Sequence, residues 1–222
     1  MPVAVIPVRV EEEPYRNICY LIRDEASGRT ALLDPAWQQE KIAAALQQHH
    51  CTPDRILLTH HHRDHSHLAG VMAKEYGIPV HMSEEECRTY AFSCHGLLPH
   101  PGETSLTMGG TTLQPWLLPG HTRGGLCWLA GDHLFTGDTL FINGCGICTG
   151  RGGDAGEMFE TMQRLQRLCR ADTRIWPGHG FGEEPGQTFA TVLQKNVYLQ
   201  LDDREMFIRF RNRKNQRGLM DF

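Results

Sequence analysis

The run Thr59-His60-His61-His62-Arg63-Asp64-His65 puts four imidazoles and a carboxylate within seven residues. Three further candidates stand apart, each after a glycine that follows an apolar run: Leu117-Leu118-Pro119-Gly120-His121, Leu134-Phe135-Thr136-Gly137-Asp138 and Ile175-Trp176-Pro177-Gly178-His179. In an extended or tightly looped segment His60 and His62 point the same way, while Asp64 and His65 lie far enough along to meet a second ion. Imidazole nitrogen and carboxylate oxygen together suit borderline divalent cations such as zinc, iron and manganese. Two such cations a short distance apart lower the pKa of a shared water so that hydroxide exists near neutral pH, and one of them polarises a carbonyl under attack. No serine or cysteine nucleophile is then required.

Other candidates have plainer readings. His61 and His67 occupy alternate positions and are expected on the surface or in support of the ligands. His81, at the end of a short strand, is expected to pack in the core. His95 and His100 fall in the Gly/Pro-containing stretch from Cys94 to Glu103, which reads either as a lid or as a solvated loop. Cys145-Gly-Ile-Cys148 lacks the second cysteine pair of a structural zinc site and any thioredoxin-like context, so a structural or pocket-lining role is expected. The other cysteines among the eight are scattered, which favours free thiols over a disulfide framework.

These residues need elements to hold them. Val3 to Val10, Ile18 to Arg23 and Thr30 to Leu33 read as a strand meander closed by an Asp34-Pro35 turn. Gln38 to His50 carries Ile42, Ala45 and Leu46 at helical spacing, and Arg55 to Leu58 reads as a buried strand. Helices are expected at Ser66 to Tyr76 and Ser83 to Phe92, with a strand at Pro79 to Met82 between them. Thr111 to Leu118, Leu126 to Ala130 and His133 to Thr136 read as strands. A helix over Ala155 to Arg170 begins with Asp154 as N-cap and Glu157 as its capping-box partner, with an apolar stripe of Met158, Met162, Leu165 and Leu168. Arg174 to Trp176 is a last strand and Gln187 to Leu201 a last helix. Two halves of this plan suit stacked sheets with helices outside, and ligands collect where strands end.

The chain has 222 residues, 40% of them hydrophobic and 22% charged, with a formal net charge of -4. That is an ordinary globular composition without the basic bias of a nucleic-acid binder. No apolar run approaches the roughly 18 residues of a membrane span, and Met1 to Val10 does not read as a signal peptide, so a single cytoplasmic domain over residues 1–222 is expected.

His-x-His-x-Asp-His, then a strand-end His, a Gly-Asp and a Pro-Gly-His, resembles the metallo-β-lactamase superfamily over residues 17 to 182. The resemblance implies an α/β fold, an αββα sandwich of two mixed sheets with outer helices. It also implies His60, His62 and His121 on one metal, Asp64, His65 and His179 on the other, and Asp138 bridging them. Two zinc ions per chain are expected, with iron or manganese as alternatives. Asp64 and Asp138 are the catalytic candidates: Asp64, the ligand carboxylate that does not bridge, would accept the water's proton.

Within the superfamily, Asn17-Ile-Cys-Tyr20, Phe-Thr-Gly-Asp and Gly144-Cys-Gly146 are similar to the glyoxalase II-like thioester hydrolases. The short run after His179 departs from glyoxalase II, whose helical C-terminal domain holds glutathione. Gly144 to Asp154 and Phe210 to Gln216 look more like the small zinc hydrolases of trans-acyltransferase polyketide gene clusters. That resemblance implies an acyl thioester on an acyl carrier protein, phosphopantetheine or CoA. Hydroxyacylglutathione hydrolysis and a mononuclear-iron persulfide dioxygenase, with iron on His60, His121 and Asp138, are the alternatives. Near the C-terminus Arg204, Arg209, Arg211, Arg213, Lys214 and Arg217 interleave with Phe207, Ile208, Phe210 and Leu219. The run reads either as a solvated terminus or as a segment docked by its apolar residues and displaying its arginines to an acidic carrier protein.

Overall fold

The computed structural model describes residues 2–213. Two six-stranded sheets make the middle layers. The first runs in the order β1 (Val3–Glu12), β2 (Tyr15–Asp24), β3 (Arg29–Leu33), β4 (Thr52–Leu57), β5 (Val80–Ser83) and β6 (Leu97–His100). Its first three strands are an antiparallel meander, and β3 to β6 are parallel. The second sheet holds β7 (Leu106–Met108), β8 (Thr111–Leu117), β9 (Leu126–Ala130), β10 (His133–Gly137), β11 (Arg174–Pro177) and β12 (Gln187–Thr188), again in chain order across the sheet. It is antiparallel apart from the β10–β11 pair.

Helices α1 (Gln39–Gln48), α2 (Arg63–Ser66), α3 (Ala69–Tyr76) and α4 (Glu84–Tyr90) belong to the first half, and α5 (Ala155–Leu168), α6 (Phe189–Lys195), α7 (Val197–Gln200) and α8 (Arg204–Arg211) to the second. The period-2 alternation of strand side chains sorts the apolar residues into layers. On β2, Ile18, Tyr20 and Ile22 enter the core between the sheets, where Leu57, Trp128 and Phe135 meet them. Cys19 and Leu21 on its other face join Ile42 and Leu46 of α1 and Met72 of α3. Both faces of β2 are therefore covered, so its middle residues form a continuous buried run. Under the second sheet Leu134 packs with Met158, Met162 and Leu165 of α5 and with Phe207 of α8.

Several elements differ from the expected ones. The Cys94 to Glu103 stretch is a loop only at its two ends, where His95 is exposed: in its middle Leu97–His100 is the edge strand β6, paired parallel with β5, and His100 is buried. Its four residues are too short and too irregularly apolar for alternation to show. The Ser66 to Tyr76 helix is two pieces, α2 and α3, and of the Gln187 to Leu201 helix Gln187–Thr188 is instead strand β12 and the remainder is interrupted at Asn196. The buried Asn196 amide donates to the carbonyls of Phe141 (3.0 Å) and Gly144 (2.9 Å), while its Oδ1 accepts the Tyr198 N–H that caps α7. Its extended backbone breaks the helix where that tertiary contact is made. α5 stops at Leu168, which is 41% exposed and so does not extend the apolar stripe. No helix among the described residues is long and apolar enough to cross a membrane.

Candidate metal centre

β4, β8, β10 and β11 deliver the candidate ligands at or just beyond their C-terminal ends. Beyond β4 the chain is irregular through His60, and His62, with extended φ and ψ, is the N-cap of α2. Ser66 Oγ donates to the carbonyls of His61 (2.9 Å) and His62 (3.0 Å), which ties the short helix back onto the loop. That one turn swings Asp64 and His65 away from His60 and His62, so one short run faces two places. Gly178 is needed for a steric reason: a Cβ there would lie 2.4 Å from His65 Cε1 and 3.0 Å from Asp138 Oδ1.

All seven expected residues come together. His62 Nδ1 lies 3.0 Å from His60 Nε2 and 3.0 Å from His121 Nε2, so three nitrogens face one point. Asp64 Oδ2 lies 3.6 Å from His65 Nε2 and 3.4 Å from His179 Nε2, which makes a second cluster. Asp138 stands between them. Its Oδ2 is 3.7 Å from His121 Nε2, while its Oδ1 is 3.3 Å from His65 Nε2 and 3.5 Å from His179 Nε2. Three groups of ligand atoms, His60/His62/His121, His60/His65/Asp138 and Asp64/His65/His179, are each close enough to hold an ion. His65 Nε2 and Asp138 Oδ1 are buried with no hydrogen-bond partner. Bare buried polar atoms are costly, and a cation between them satisfies both. An N/O donor set with two carboxylates fits zinc, iron or manganese.

The far side of each ring is held as well. His65 Nδ1 faces Asp34 Oδ2 at 2.9 Å, His121 Nδ1 faces the Ile147 carbonyl at 2.7 Å and His179 Nδ1 faces the Arg16 carbonyl at 2.7 Å. Since only an N–H can face a carbonyl or carboxylate there, the neutral form of each ring would present Nε2 inward as the lone pair for a cation. Thr59 Oγ1 donates to Asp34 Oδ2 at 2.6 Å and lies 3.0 Å from His60 Nδ1. Asn17 Nδ2 donates to Asp64 Oδ2 at 3.1 Å and is itself held by Trp37 Nε1 on its Oδ1 at 2.9 Å.

Burial, reinforced by the neighbouring imidazoles, pushes His60 well below its usual range and His62 down to about 4, so both are neutral donors at pH 7. Burial lowers His121 too. At His65 burial works the same way but Asp138 and Asp34 outweigh it, and the ring is raised well above its usual range. Asp138 is held well below the carboxylate range because His179 and His65 overcome the burial that would raise it. The carboxylates thus draw positive charge onto the imidazoles between them, the place where a divalent cation fits.

Residues outside the cluster fall as follows. His61 does not join it: its Nδ1 is 2.6 Å from Glu86 Oε1 and its ring stacks on Tyr90 at 3.7 Å. His67 is exposed and lies against Trp37. His81 is only partly buried, beside His100. Cys145 and Cys148 are buried in the α5–α8 layer, all eight cysteines are free, and burial raises the Cys148 thiol to about 11. Asp34 and Glu86 were not singled out in the sequence. Asp34 reads there as a turn residue, and Glu86, which accepts from the His61 and Gly124 amides at 3.0 and 2.8 Å, sits on a helix with two other glutamates.

The family model of the metallo-β-lactamase superfamily matches residues 15–179. The chain belongs to that superfamily. Among its relatives is the probable polyketide biosynthesis zinc-dependent hydrolase BaeB of Bacillus velezensis, 40% identical over 97% of this chain and 96% of that protein. A hydroxyacylglutathione hydrolase of Xanthomonas axonopodis pv. citri is 36% identical, over 70% of this chain and 58% of that protein. Among solved metallo-β-lactamase folds, ETHE1 from Myxococcus xanthus superposes with a TM-score of 0.80 at 25% identity, covering 95% of this chain and 92% of that one. The two mixed sheets with helices outside are the αββα sandwich that the motif pattern implied.

Proposed function

We propose that this chain is a zinc-dependent hydrolase of acyl thioesters, with a substrate carried on phosphopantetheine or an acyl carrier protein. The observation that carries the reading is the position of Asp138, whose two oxygens face two separate groups of imidazoles. In this reading His60, His62 and His121 would hold one cation, Asp64, His65 and His179 would hold the other, and Asp138 would face both. Such a pair supplies an activated water and polarises the carbonyl under attack. Asp64, oriented by the Asn17 amide, would be the carboxylate placed to accept that water's proton. A thiolate leaves without protonation, so the reaction needs no general acid. Phe181, stacked on His179 at 5.1 Å, and Phe141, edge-on at 6.1 Å, form an apolar wall beside the second cluster.

Near full-length similarity to a polyketide biosynthesis zinc-dependent hydrolase, against partial similarity to a hydroxyacylglutathione hydrolase, supports a carrier-bound thioester over a glutathione one. The decisive measurements are metal content of protein purified without added metal, thiol release from an acyl-pantetheine, and oxygen uptake with glutathione persulfide. About two zinc ions per chain, thiol release that chelator abolishes, and no oxygen uptake are expected. Stoichiometric oxygen consumption with a single bound iron and no thioester turnover would place the protein among the dioxygenases instead.

A further inference from the structure

Arg211, the last residue of α8, is 4% exposed. A buried guanidinium is costly, and an aliphatic side chain fills the same space without that cost, so its donors are informative. Its Nε donates to the Gly146 carbonyl at 2.8 Å, one of its terminal nitrogens donates to Tyr198 Oη at 3.4 Å, and the guanidinium lies 5.7 Å from the centre of the Tyr198 ring. Gly146 belongs to the turn that backs the metal centre. Its N–H donates to the Asp138 carbonyl at 2.8 Å, and the next carbonyl, of Ile147, accepts from His121 Nδ1 at 2.7 Å. A Cβ on Gly146 would lie 2.2 Å from the Asp138 carbonyl oxygen and 2.8 Å from His121 Cγ. The turn is therefore wedged between the backbone of one candidate ligand and the ring of another, and Arg211 grips it from behind.

We propose that Arg211 is a positioning residue of the metal centre: by holding the Gly146 carbonyl it fixes the 145–148 turn, and through it the aim of His121 Nε2 and the Asp138 carboxylate. This rests on the reading of His121 and Asp138 as metal ligands. Phe207, one turn earlier on α8, is fully buried against Phe159 and Tyr198, with ring centres 5.6 and 5.5 Å away, and does not touch the 145–148 turn through any hydrogen bond. The expectation that Arg211 forms part of an exposed basic surface is thus corrected: it points into the molecule.

The test compares wild type with Arg211→Met, Arg211→Lys and, as a helix-packing control, Phe207→Leu. Zinc affinity is measured by competition with a chromogenic chelator, kcat and KM with an acyl-pantetheine, and thermal midpoint on the metal-free proteins. Arg211→Met is expected to weaken zinc binding roughly 10- to 100-fold, the usual loss when a group orienting a ligand is removed. It lowers kcat with little change in KM. Arg211→Lys keeps one donor and recovers part of the affinity. Phe207→Leu lowers the thermal midpoint and leaves zinc affinity unchanged. Wild-type affinity in Arg211→Met, or a loss matched by Phe207→Leu at equal destabilisation, overturns the proposal. If Arg211→Met does not fold, Arg211→Lys decides, with intermediate affinity supporting and wild-type affinity overturning it. A wild-type protein that binds no zinc removes the ligand reading and this one together, whereas zinc-replete wild type with an indifferent Arg211→Met removes this one alone.

Discussion

Asp34 carries a buried carboxylate at the end of β3, and it takes three donors: the Thr59 N–H at 2.8 Å, Thr59 Oγ1 at 2.6 Å and His65 Nδ1 at 2.9 Å. It therefore orients His65 directly and His60 through Thr59. Replacing Asp34 with Asn puts an amide N–H against groups that are already donors, so zinc affinity should fall roughly 10- to 100-fold, as measured by chelator competition. One of those buried donors also loses its partner, which should cost about 1–3 kcal/mol in urea denaturation. Gly178→Ala tests the close packing of the cluster itself. Its Cβ must displace His65 or Asp138, so bound zinc should drop while the far-ultraviolet circular dichroism stays the same. Full zinc occupancy in that variant would show that the two side chains have more freedom than their packing implies.

Among the elements, the end of β2 is tied to the opposite sheet through Asp24. Its carboxylate accepts from Ser27 N–H (2.8 Å) and Ser27 Oγ (2.7 Å) on its own side, and from Gly110 N–H (3.2 Å) and Thr111 Oγ1 (2.6 Å) at the start of β8. Ser27 first and Thr111 next hold the group down at about 2, from an ordinary 3.8. A carboxyl with a lowered folded pKa contributes stability above its unfolded pKa and loses it as pH falls toward the folded one. Asp24→Asn should accordingly be less stable than wild type at pH 6, and the gap should narrow between about pH 4 and pH 2. Urea midpoints of the two metal-free proteins across that range check this, and a gap that does not narrow argues against a charged Asp24 as the clamp. The same reasoning about partners explains the interrupted helix at Asn196: the break follows from two carbonyls in the 141–144 turn, which no periodicity in residues 187–201 announces.

Taken as one molecule, the chain places its charged C-terminal helix next to the loop behind the metal centre. Arg211 is buried, but Arg209 and Arg213 are exposed, the latter over the Phe210 ring at 4.0 Å. Lys214, Arg217 and Leu219 lie outside the described residues. If acyl groups arrive on an acidic carrier protein, charge reversal at Arg209 and Arg213 should slow turnover of the carrier-bound substrate in a salt-sensitive way and spare a free acyl-pantetheine. Equal effects on both substrates, or none on either, would show that these arginines do not receive the carrier.

The candidate ligands and the layer class were legible in the sequence because both are local. The His60 to His65 run, the three strand-end Gly-His and Gly-Asp pairs, and the period-2 and period-3.6 apolar patterns are each read within a few residues of chain. The supporting groups were not legible, because their roles exist only across long separations. Asp34 meets His65, Glu86 meets His61 and Gly124, Asn196 meets Phe141, and Arg211 meets Gly146 only after the strands between them have paired. β6, β7 and β12 were missed for a related reason: strands of two to four residues carry too few side chains for alternation to show, and it is pairing with a neighbour that makes them strands. Hydrogen-bond partners of this kind are chosen by the fold, since a carbonyl or amide is the same at every position in the sequence and differs only in what the tertiary structure brings to it.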